Sequence, residues 1–170
     1  MYRKILVVVA DSSEAQIAVK QGIELASVHG ADIFFFYVLP RFDFELFTLD
    51  VPSPSTVSPA EFQMQVRKEA SDLLAAAILS AETEGVHSFK AMGSGPNDAA
   101  CVADAARTHK CDLIVVGTES QNAVMRLLTG SIVPGLITLA STPVLVCREA
   151  NSPTRSSRRV QKSVARVKRR

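Results

Sequence analysis

Residues 3 to 39 read RKILVVVADSSEAQIAVKQGIELASVHGADIFFFYVL. The first apolar run, RKILVVV at 3–9, is continuous rather than alternating, which fits a strand covered on both faces in a parallel sheet. Residues 12–29 then take a helical period, with Ile17, Ala18, Gly22, Leu25 and Ala26 on one face. Gly30 follows His29 in the place of a left-handed helix cap. A second buried strand, ADIFFFYVL, completes a strand–helix–strand unit. Two strands joined through a helix run parallel, and the crossover is right-handed.

The same alternation continues outward. After a long connection from Pro40, Ser58-Pro59-Ala60-Glu61 gives a capped helix start, with Glu61 placed to reach back to Ser58. That helix is expected to run to Glu84, with Phe62, Val66, Ala70, Leu73, Ala77 and Ala81 inward. Strand three is expected at 87–92, a third helix from Gly95-Pro96-Asn97-Asp98 to near His109, and strand four at 111–117, CDLIVVG. A fourth helix at about 130–140 and a fifth strand, PVLVCR at 143–148, close the series. The pattern gives an α/β fold: a five-stranded parallel sheet with helices on both faces. Ligands in such sheets sit beyond the carboxyl ends of strands where the winding reverses, which draws attention to 10–14, the Pro40 region and 117–131.

Composition narrows the class. The 170 residues are 47% hydrophobic, with no tryptophan and a net charge of +2. ILVVVA is too short for a signal peptide or membrane span and is stopped by Asp11, so the chain is expected in the cytoplasm, without a transmembrane segment. Cys101, Cys111 and Cys147 lie far apart and outside any metal spacing, as small buried residues do. Charge is split: residues 148–170 hold nine Lys or Arg and one acid, a net +8, and the other 147 residues carry 10 basic and 16 acidic side chains, a net −6. In the basic segment Val160, Val164 and Val167 recur at i, i+4, i+7, the spacing of a short amphipathic helix suited to an anionic partner. The alternative is a solubilising tail, or one lying on its own acidic domain.

The stretch GTESQNAVMRLLTGS, residues 117–131, has the ends of a phosphate loop. Gly117 lets strand four turn, and Gly130-Ser131 offers N–H groups and a hydroxyl at a helix start. A plain strand-to-helix connection with a glycine at each end is the other reading. Asp11 stands either as a ligand acid or as a helix cap beside Ser12 or Ser13. No G-x-S-x-G elbow and no phosphate-loop lysine motif occurs. His29, His87 and His109 fall at element ends away from the expected site. No general base is assembled, so the chain is not expected to be an enzyme.

These motifs together resemble the universal stress protein family over residues 1–148, with 149–170 as a basic C-terminal tail outside the resemblance. The family's nucleotide motif is G-x-x-G, nine residues, then G-[ST]; Gly117 matches its first glycine, and nine residues separate Ser120 from Gly130-Ser131. Arg126-Leu127-Leu128, the last strand Ser141 to Val146, the N-terminal KILVVV and Asp112 to Gly117 fit the same family. Departures fall on the site: Ser120 and Ala123 replace glycines, and either Ala10 or Asp11 takes the place of an acid after strand one. Positive φ at Ser120 would cost about 1–2 kcal/mol.

The resemblance implies a Rossmann-like, adenine nucleotide alpha hydrolase-like fold and a regulatory role in stress, with ATP or AMP as ligand. It implies phosphates on the N–H groups of Gly117, Ser120, Gly130 and Ser131, Ile132 beside the ribose, and Val38 with Val9, Ala10 and Asp11 around adenine. It also implies a homodimer through the last strand, Pro143 to Cys147. A nucleotide-free dimeric interaction module is one alternative, and a slow ATPase or nucleotidyl-transfer enzyme the other. The loop bearing Phe42, Phe44 and Phe47 is a second contact or a lid.

Overall fold

The computed structural model describes residues 1–40, 58–118 and 132–148. Their order is β1 (Lys4–Val9), α1 (Ser13–His29), β2 (Asp32–Val38), α2 (Pro59–Thr83), β3 (Ser88–Gly93), α3 (Asp98–Thr108), β4 (Leu113–Gly117), α4 (Ile132–Leu139) and β5 (Val144–Cys147). All strand pairs are parallel, and the sheet order is β3-β2-β1-β4-β5. The sheet therefore winds one way from β1 to β3 and the other way from β4 to β5. The reversal falls between β1 and β4.

Alternation along the strands divides the core in two. Ile5, Val7, Val9, Ile33, Phe35, Leu113 and Val115 pack beneath α1 and α2. Leu6, Val8, Phe34, Phe36, Ile114 and Val116 face α3 and α4. Ile5, Leu6, Val7 and Phe35 are fully buried, each contributing roughly 1.5–3 kcal/mol of transfer energy. At the base of the sheet the Asp112 carboxylate accepts the backbone N–H groups of Arg3 and Lys4 at 2.9 and 3.2 Å. That contact fastens the start of β4 to the start of β1.

The helix starts and stops follow local chemistry. Ser58 and Glu61 form a reciprocal capping box with Pro59 in the first turn, as expected. Gly30 takes φ 63°, the left-handed cap in which it costs least. The small residues expected inward are buried, Ala18, Gly22 and Ala26 in α1 and Ala70, Ala77 and Ala81 in α2, and the larger expected ones are half-buried. In α1 the buried residues are Ala15, Ala18, Gly22, Ile23 and Ala26, and Ile17 and Leu25 are half-buried. In α2 they are Ala70, Leu74, Ala77 and Ala81, with Leu73, Phe62 and Val66 half-buried. Strand ends shift by a residue or two: β4 begins at Leu113 rather than Cys111, and β3 extends to Gly93.

Candidate functional site at the carboxyl ends of the first and fourth strands

The expected site residues that lie among the described positions are Val9, Ala10, Asp11, Val38, Gly117 and Ile132. Ser120, Ala123, Gly130 and Ser131 lie outside them, as do the loop of Phe42, Phe44 and Phe47 and the basic segment 149–170. The described residues converge on the point where the winding reverses, the crevice in which open α/β sheets hold their ligands.

Asp11 is not the helix cap. Ser12 occupies the N-cap with extended backbone, and its hydroxyl accepts the Ala15 N–H at 3.1 Å. Ser12 wins because its side chain is already at the position from which Oγ reaches the third helical N–H. Asp11 is left exposed at the end of β1, next to exposed Ala10. Its charge is felt by Tyr37, the β2 residue paired with Val9. Burial pushes the Tyr37 hydroxyl above its ordinary range, and the carboxylates of Glu69 and Asp11 push it further the same way. Tyr37 thus stays a neutral hydroxyl donor beside an acidic edge. The sequence reading missed it; an aromatic at the last turn of pleat before Val38 was the available signal.

Gly117 has a packing role that spacing did not reveal. A Cβ there would collide with the carbonyl group of Glu14 and lie 2.8 Å from Ala15 N. The end of β4 runs directly beneath the first turn of α1, and only glycine admits that approach. Beyond it, Thr118 is buried and its N–H donates to Cys147 O at 2.9 Å, extending the ladder one residue past β4.

The two faces divide the apolar residues. Val38 and Ile132 pack against the α3/α4 side of the core, and Val9 is buried on the α1/α2 side. Val38 and Ile132 are brought to one face; Val9 offers that face its backbone alone. The histidines sit elsewhere: His29 packs edge-on to Tyr2 at 5.5 Å, His109 stacks on Phe34 at 3.9 Å, and His87 pairs with Asp32 at 3.2 Å. Burial raises all three thiols, Cys111 to about 11, which keeps them largely protonated near neutral pH. Among the described residues no group of three or more His, Cys, Asp or Glu could hold a metal ion, and no helix is long and apolar enough to cross a membrane.

Strand order and crevice define an α/β protein with a parallel sheet whose switch point lies between β1 and β4. The model of the universal stress protein family matches residues 1–148, and the chain belongs to that family. It is 29% identical over 156 residues to a universal stress protein of Methanocaldococcus jannaschii, covering 88% of this chain and 84% of that one. The crystal structure of a universal stress protein family member from Burkholderia pseudomallei superimposes with a TM-score of 0.67 at 27% identity, over 85% of this chain and 95% of that one. A family member from Arabidopsis thaliana, solved with AMP bound, shares the fold at 16% identity and a TM-score of 0.61, over 91% of this chain and 98% of that one.

Proposed function

We propose that this chain is a regulatory binding protein whose ligand is an adenine nucleotide, AMP or ATP, held at the crevice between β1 and β4. The observation that carries this reading is Asp11: exposed, released from capping by Ser12, and placed at the reversal point. A carboxylate there suits a nucleoside hydroxyl or amino group better than a phosphate. The phosphates would fall to the N–H groups of Gly117, Ser120, Gly130 and Ser131, with Ile132 beside the ribose and Val38 against the base. Binding without turnover is the activity proposed, with Asp11 as a ligand to the nucleoside rather than a base. Residues 1–148 form the stress-protein domain in this reading, 149–170 are an appended basic segment, and the protein works in the cytoplasm.

Calorimetric titration of the full chain with AMP and with ATP tests it. Heat of binding is expected, weakened at least tenfold in Asp11→Ala and strengthened in Ser120→Gly, which restores the glycine of the family motif. Absence of heat at millimolar nucleotide overturns the reading.

A second reading draws on a separate observation. β5 is a sheet edge, and Leu145, Ile137 and Leu139 beside it are 38%, 66% and 53% exposed. An apolar edge of this kind pairs readily with another. A homodimer through Pro143–Cys147 would cover it whether or not nucleotide binds, and sedimentation of Leu145→Lys against the parent chain tests that contact.

A further inference from the structure

A second concavity among the described residues lies apart from the crevice. It is a half-open groove of about 560 Å³ between α1 and α2, sharing only Val9 and Ala10 with the candidate site. Val19, Ile23, Leu73 and Ala77 supply its apolar floor. Glu24 and Glu84 stand on its rim with Lys20, whose ammonium lies 3.9 Å from Glu24.

We infer that this groove is the docking site of the chain's own basic segment, with Val160, Val164 and Val167 on the apolar floor and the flanking Lys and Arg over the acidic rim. Three observations select this occupant. The first is charge. α1 and α2 with the Glu84 cap carry seven carboxylates against three Lys or Arg, and α3 and α4 carry two against one. Residues 149–170, with eight Lys or Arg against Glu149 and so a net +7, are therefore drawn to the α1/α2 layer rather than to the opposite one.

The second is reach. The strands are parallel, so Arg148 leaves β5 at the same end of the sheet at which the groove meets Val9 and Ala10. β5 is two strand spacings from β1, about 10 Å, and α1 adds a helix diameter of about 10–12 Å. Residues 149–159 span up to roughly 35–40 Å when extended, ample for the crossing. The third is shape. The i, i+4, i+7 spacing of the valines would give a helix one narrow apolar stripe, which suits the floor between two helices. The rim pairing is electrostatic and partly exposed, so docking weakens as salt shortens the screening length.

The test uses the full chain carrying a nitroxide on Ser163→Cys, with the unsubstituted chain treated identically as background for the native cysteines. Methyl signals of Val19, Ile23 and Leu73 are expected to lose most of their intensity, and those of Val102 and Leu136 to keep theirs. The loss should reverse at high salt and in Val160→Glu/Val164→Glu. Attenuation on the α3/α4 side, attenuation nowhere, or attenuation unchanged in Glu24→Lys/Glu84→Lys overturns the inference. So does attenuation that appears only when the nitroxide and the observed methyls are on different copies in a mixed sample.

Discussion

Gly117 faces the carbonyl of Glu14 where a Cβ would have to sit, so that β4 ends under the first turn of α1 with no room for a side chain. Two readings of that glycine, phosphate cradle and structural turn, meet at one atom. The Gly117→Ala chain separates them. Backbone on both sides of the contact cannot yield cheaply, so overpacking of about 1–3 kcal/mol is expected in urea unfolding without any nucleotide present. Unchanged stability with lost nucleotide binding would assign Gly117 to the ligand alone.

Ser12 and Asp11 make a complementary pair. Ser12→Ala is expected to cost about 1 kcal/mol of stability through loss of the cap. Asp11→Ala should stay within about 0.5 kcal/mol of the parent, as an exposed side chain outside the cap does. Thermal unfolding of the two variants measures both, and a larger loss in Asp11→Ala would return the capping role to it.

The capping box predicts a direction with pH. Glu61 accepts the Ser58 N–H and hydroxyl, both at 2.9 Å, and these bonds hold its carboxyl below the ordinary range. A depressed folded value means that the contribution is present above the unfolded value and is lost as pH falls through the folded one. NMR titration of the Glu61 carboxyl should show the lowered midpoint, and Ser58→Ala, which removes the hydroxyl bond but keeps the larger backbone N–H one, should raise it only part of the way.

Cys111 gives the opposite case. Burial first, partly offset by Lys4, raises its thiol to about 11. The unfolded thiol ionises earlier, so the folded state loses stability as pH climbs from the unfolded value toward about 11. Under native conditions near neutral pH, alkylation should reach half-buried Cys101 before buried Cys111 and Cys147. Equal labelling rates for all three would contradict the burial order.

What could be read from the sequence, and what could not, divides along the range of the physics. Ser58, Glu61 and Gly30 act within a few residues of themselves, and their roles were legible. The strand–helix alternation fixed a parallel sheet, and β5 at its edge followed. On α1 the inward Ala18, Gly22 and Ala26 were legible, but the most buried large residue was not, because Ile17, Val19, Ile23 and Leu25 ring the helix and only packing chooses Ile23. The helix rests on its small side: a Cβ on Gly22 would lie 2.6 Å from Val7 Cγ2, so α1 lies low on β1. The collision at Gly117 joins residues a hundred positions apart and leaves no local trace. The role of Asp11 depended on whether Ser12 took the cap, a contest between neighbours of similar propensity.

β1 and β4 are held together at both ends. Asp112 ties their starts through two backbone N–H groups, and the end of β4 is wedged under the helix that β1 leads into. Strands secured in this way cannot part to admit a guest. Any ligand entering between them meets a floor of fixed width, and accommodation falls to the segments that follow the strands. The sheet itself then serves as a ruler for whatever is held above it.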